Sequence, residues 1–324
     1  MDSQTERFVD RDGLTVTGKI QKFRMREMAI EELGLQKAAG IETAYACPAG
    51  HRRRFVRESP YLKGGGLVSQ ILPPGIVFHP SRIKAYEIRH PGYDSYSVPA
   101  YVARPSDPGT YPALVLTHGV HGYEEHMKEV ARRFAALGYA CIVPALYCRD
   151  DFLTVVEEED LAKASASLSG RPNAQTIGDL AGSLAYLQNS SFVNGLIGLV
   201  GFCSGGRLAL VFACNTTGLS AFVNFYSNSI FQATDANPTP VGDMLENLDC
   251  PMLGMFGAED ANPSGEDVAL LRSRLESLSK IFELVTFKDA GHAFFSDTRA
   301  SYRPEAAYMA WGRCLEWLSK YLKP

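Results

Sequence analysis

A cysteine flanked by glycines two positions away on either side, Gly201-Phe202-Cys203-Ser204-Gly205, separates an apolar run from a helical one. Leu196-Ile197-Gly198-Leu199-Val200 precedes it, and Arg207-Leu208-Ala209-Leu210-Val211-Phe212 follows. The pattern reads as strand, tight turn and helix, with the thiol at the apex. A nucleophile held there needs a strained backbone, and small residues on both sides give it room. The helix that follows points its positive end at the sulfur and favours thiolate over thiol. In isolation such a turn is as readily a buried cysteine, so the chemistry must be judged by its partners.

A strained-turn nucleophile of this kind is followed in the chain by an acid and then a histidine, each after a later strand. Pro251-Met252-Leu253-Gly254-Met255-Phe256-Gly257 reads as a buried strand, with Glu259 and Asp260 immediately after it. A helix and the alternating strand Ile281 to Phe287 come next, and then Gly291-His292-Ala293-Phe294. Cys203, Asp260 and His292 thus fall just past strand ends, where the loops of an open parallel sheet gather. Glu259 and Asp260 are adjacent and cannot meet one imidazole in the same way.

The helices that separate these strands show the expected spacing. Met127, Val130, Ala131, Phe134 and Leu137 form one apolar face, and Ile177, Leu180, Ala181, Leu184 and Leu187 a second. Ser264 with Asp267 reads as a capping box for a third helix. A last helix carries Ala307, Trp311, Cys314, Leu315, Leu318 and Leu322. Strands alternating with helices imply right-handed crossovers and a doubly wound, mostly parallel α/β sheet with helices on both faces.

Together these residues resemble the dienelactone hydrolase family. Pro112 to Gly122 is similar to that family's first central strand and oxyanion loop, and Gly138 to Arg149 to the next strand and loop. Gly257-Ala258-Glu259-Asp260 resembles its acid turn, and Gly291-His292-Ala293-Phe294 its histidine turn. The likeness runs from about Tyr86 to Leu322. It implies an α/β-hydrolase fold and hydrolysis of an ester or lactone of a small organic substrate. Cys203 would attack the acyl carbon and form an acyl-enzyme thioester, His292 would move protons, and Asp260, the residue in the family's position, would orient the imidazole. The backbone N–H groups of Ser204 and Val120 would face the oxyanion. His118, His121, Tyr147, Arg149, Tyr226 and Phe295 lie on loops expected to line the substrate pocket, Arg149 being the candidate for a substrate anion. Asn228 to Asp249 reads as a cap. Two positions depart from the family: Gly119 stands where it has a glutamate that quiets the thiol, and Ser296 where it has a substrate-gripping arginine. The same triad would also serve a cyclase, an acyltransferase or a carbon–carbon bond-cleaving enzyme. A ligand-binding protein without catalysis is the reading from another class.

The chain has 324 residues, 46% of them hydrophobic and 21% charged, enough for one large core. A net charge of −4 argues against nucleic-acid and anionic-membrane partners. Seven cysteines, odd in number and mostly within apolar runs, suit a reducing, cytoplasmic compartment. No cysteine pair has zinc-ligand spacing, and His118 with His121 lacks a third ligand, so neither metal nor cofactor is expected. No apolar run approaches the length of a membrane span. Residues 1–85 are expected to form an N-terminal extension acting as lid, edge brace or arm of a homodimer, and 86–324 the hydrolase-like domain.

Overall fold

The computed structural model describes residues 72–150 and 155–323. The expected N-terminal extension, up to residue 71, lies outside the described residues.

Eight strands form one sheet: β1 (Ile83–Pro91), β2 (Ser97–Pro105), β3 (Tyr111–Thr117), β4 (Ala140–Pro144), β5 (Val193–Phe202), β6 (Ala221–Phe225), β7 (Met252–Gly257) and β8 (Phe282–Phe287). Their spatial order is β1-β2-β4-β3-β5-β6-β7-β8. β1 and β2 form an antiparallel hairpin that joins β4 antiparallel, and every other neighbouring pair is parallel. The 85/86 boundary drawn from sequence therefore falls inside β1.

The helices are α1 (Glu125–Ala136), α2 (Leu161–Ser169), α3 (Asn173–Gln188), α4 (Ser204–Ala213), α5 (Gly265–Ser277) and α6 (Pro304–Leu322). Successive strand residues point to opposite faces, and each face feeds its own core. Val115 and Leu199 join Leu180, Leu184, Leu210 and Leu271 on one side. Leu116 and Val200 join Phe134, Trp311 and Leu318 on the other. The expected doubly wound α/β arrangement is what the chain adopts. Ser264 and Asp267 form the reciprocal capping box anticipated for α5.

Asn228 to Asp249, expected as a cap, is anchored through its apolar residues. Ile230, Val241, Leu245 and Leu248 are buried in the core beside α4 and α5, so the segment's apolar side chains anchor it to that face. Asn237 ties it to the start of α3, accepting from the Asn173 N–H at 2.7 Å and donating to the Arg171 carbonyl at 2.7 Å. Among the described residues, no helix is long and apolar enough to cross a membrane.

Candidate active site

β5 ends at Phe202, and Cys203 turns the chain into α4 with φ 56° and ψ −130°, a left-handed conformation uncommon for a residue with a side chain. Its N–H is held by the Phe225 carbonyl at 3.0 Å. Both flanking glycines are required by close approach. A methyl group on Gly205 would lie 2.3 Å from the His118 carbonyl oxygen, and one on Gly201 would lie 2.7 Å from that of Gly205. The two-glycine pattern is the imprint of a helix start pressed against the end of β3.

Asp260 follows β7 and His292 follows β8, and the parallel sheet brings both loops to the edge where β5 ends. His292 Nε2 lies 3.0 Å from Cys203 Sγ, and Nδ1 lies 2.8 Å from Asp260 Oδ2. The other Asp260 oxygen accepts the Asn262 N–H at 2.9 Å. Asp260 is buried while Glu259 is exposed, so of the two adjacent acids only Asp260 meets the imidazole.

Electrostatics divide the charge in one direction. Burial opposes ionisation of Cys203. The hydrogen bond and charge of His292, with the Ser204 and Val120 N–H groups aimed at the sulfur, nonetheless bring its pKa below the ordinary thiol value. Burial likewise opposes the charged form of His292, but Asp260 and Cys203 raise it from 6.5 to about 10. The two shifts run the same way, toward a proton moved from sulfur to imidazole, and the titrations belong to the pair rather than to either residue alone. The other described cysteines go the opposite way. Burial raises Cys148 and lifts Cys214 and Cys250 to about 12, and Cys141 and Cys314 lie well above their ordinary values.

Iodoacetamide at pH 7 should therefore alkylate Cys203 far faster than these five, as peptide mass mapping would show. A Cβ on Gly119 would stand 3.1 Å from Cys203 Cβ and 3.5 Å from Sγ. Gly119→Glu, after a shift of a few tenths of an ångström, would set a carboxylate against the sulfur and slow labelling at least about tenfold, one pKa unit. Equal labelling of all six thiols, or faster labelling of Cys148, would contradict the reading.

The dienelactone hydrolase family model matches residues 98–322. A protein of Methylorubrum extorquens, provisionally named a carboxymethylenebutenolidase, is 30% identical over 73% of this chain and 81% of its own length. A Bradyrhizobium protein named as a probable 2-oxo-3-(5-oxofuran-2-ylidene)propanoate lactonase is 29% identical over 69% of this chain and 89% of its own. The crystal structure of a provisionally described dienelactone hydrolase from Klebsiella pneumoniae superposes with a TM-score of 0.69 at 32% identity, covering 74% of this chain and 99% of that one. The chain belongs to the dienelactone hydrolase family. It is accordingly a hydrolase.

Several of the expected pocket residues of this family member are placed elsewhere. Arg149 is committed to Asp179, with Nη1–Oδ2 at 2.5 Å and Nη2–Oδ1 at 2.8 Å, and to the Tyr93 carbonyl at 3.1 Å. Asp179 is buried in α3, so this guanidinium braces the β1–β2 turn rather than meeting a ligand. His118 is fully buried, with Nδ1 3.0 Å from the Gly119 carbonyl and Nε2 accepting the Leu146 N–H at 3.1 Å. Burial pushes its pKa down to about 4. It is a neutral strut beneath the loop after β3, with both ring nitrogens occupied. Phe295 is fully buried among Phe202, Phe225 and Trp311.

Of the remaining candidates, Tyr147 and Tyr226 stay near the sulfur. The hydroxyl of Tyr147, otherwise buried, lies 3.2 Å from Ser204 Oγ. The ring of Tyr226 packs edge-on to His292 at 5.4 Å. His121, half-buried, has Nδ1 3.3 Å from the Val156 carbonyl. Arg299, near the family's missing arginine, pairs with Glu124 at 2.7 Å.

One residue near the thiol, Asn228, carries no signal in the sequence, and Arg207 carries a weak one. Asn228 places Nδ2 4.0 Å from Sγ. Arg207, one turn along α4, is half-buried and within 3.5 Å of Asn173 Oδ1, and burial lowers its pKa. Among the described residues no carboxylate pairs with it. Arg207 can be flagged by its spacing from Cys203 on α4, whereas Asn228 cannot.

Proposed function

We propose that this chain hydrolyses a small ester or lactone through a thioester on Cys203. The observation that carries the reading is the imidazole of His292, held at 2.8 Å by Asp260 and set 3.0 Å from the sulfur of a strained turn. The names of the relatives support the substrate class. Cys203 as thiolate adds to the acyl carbon, and the carbonyl oxygen turns toward the Ser204 and Val120 N–H groups. Collapse breaks the acyl carbon–oxygen bond, and the leaving oxygen takes the Nε2 proton of His292. His292 then deprotonates water, which attacks the thioester; the acyl carbon–sulfur bond breaks, the carboxylic acid leaves and Cys203 is released as the thiolate.

A panel of p-nitrophenyl esters and simple lactones tests this directly: turnover is expected, and binding without turnover would favour a ligand-binding protein. The pH profile of kcat/KM is the sharper check. The pair is active while Cys203 is deprotonated and His292 protonated, so the rate should not fall between neutral pH and about pH 10. Above about 10, where His292 loses its proton, it should fall about tenfold per unit. A rate governed by neutral imidazole as base would instead rise through about pH 6.5 and show no alkaline limb.

A further inference from the structure

Along one edge of the sheet, the loops after β3, β5, β6, β7 and β8 carry Val120, Cys203, Asn228, Asp260 and His292 in that order. The thiol therefore has the oxyanion loop on one side and Asn228 on the other, the side of the histidine. Asn228 lies between two residues in the left-handed region, Tyr226 at φ 41° and Ser229 at φ 52°. Such a conformation in non-glycine residues persists only where the surroundings fix it, and here they do. Asn224 accepts the Ser227 N–H at 3.1 Å and donates to Ser227 Oγ at 2.9 Å. Asn262 accepts the Ser229 N–H at 2.8 Å, and its own N–H is bound to Asp260. On the far side Gly206 of α4 packs so closely that a methyl there would lie 2.8 Å from Asn224 Oδ1 and from Ser227 Cβ. The product of this bracing is one amide donor, half-buried and aimed at Sγ from 4.0 Å.

We propose that the Asn228 carboxamide holds the leaving oxygen of the scissile ester, from the side of the thiol opposite the Ser204 and Val120 N–H groups. This rests on the reading of Cys203 as the nucleophile. A bond from nitrogen to sulfur at that distance is long, but an oxygen on the tetrahedral carbon joined to Sγ comes within ordinary reach of Nδ2, about 2.9 Å. Two oxygens then share the acyl carbon. The carbonyl oxygen turns to the β3 side. The leaving oxygen must face His292, because on collapse it takes the electron pair of the broken carbon–oxygen bond and the Nε2 proton. Asn228 stands on that side. Its N–H stabilises charge that builds on the leaving oxygen before the proton arrives, which matters most for poor leaving groups.

The test is a series of esters of one acid, from p-nitrophenyl through phenyl to ethyl, with kcat/KM measured for wild type and Asn228→Ala. The loss should grow from a few-fold for p-nitrophenyl to about 100-fold for ethyl, the scale of removing one preorganised donor. Asn228→Ser, which keeps a donor in a smaller side chain, should fall between the two and guards against a folding defect in the alanine variant. An equal loss across the series, or none, would overturn the assignment and leave the thioester reading intact. If wild type cleaves no member of the series, both fall together.

Discussion

Asp260→Asn should lower turnover of an ester substrate by about 10⁴, the scale of the same change in a serine triad, while Glu259→Gln stays close to wild type. The buried carboxylate of Asp260 accepts from His292 Nδ1 at 2.8 Å and is what keeps the imidazole charged beside the sulfur. An asparagine of the same shape can still accept the Asn262 N–H, so the loop should hold. Its neutral amide no longer compensates the imidazolium, and the proton on Nε2 returns to the sulfur. Steady-state rates for both variants, with melting temperatures to show that each is folded, check the ranking. The reverse order would mean that the exposed Glu259 reaches the histidine in solution.

The parts of this architecture that depend on neighbours in sequence were legible in advance. The strained turn at Cys203 announces itself through Gly201 and Gly205, and the α5 cap through Ser264 and Asp267, because both are built within a few residues. The order cysteine, acid, histidine was readable because each follows a recognisable strand. β6 is not legible in the sequence: it is five residues long, and Asn224, buried and bonded to Ser227, interrupts its apolar run. The β1–β2 hairpin is equally hard to read, since its exposed face leaves mixed polar and apolar residues.

Side-chain destinations were the least legible. Arg149 and Asp179 meet across thirty positions, and nothing local distinguishes a guanidinium aimed at a helix from one aimed at a ligand. His118 and Phe295 sit beside the site in sequence but point into the packed interior. Asn228 reaches the sulfur only because two left-handed residues turn the chain after β6, and no spacing rule reports such a turn.

Cys203→Ala should cost about 10⁶ in kcat, as loss of a triad nucleophile does. Neither His292 nor the oxyanion donors can replace the covalent step. The sulfur is the group on which every other feature converges: the helix start, the N–H groups of Ser204 and Val120, and the imidazole at 3.0 Å. The most direct measurement is to quench the enzyme in acid during turnover of a slowly released ester and locate the acyl group by peptide mass. It should be found on Cys203, be removed by neutral hydroxylamine as a thioester is, and be absent from Cys203→Ala. An acyl group on Ser204 instead, or undiminished turnover by Cys203→Ala, would contradict the account.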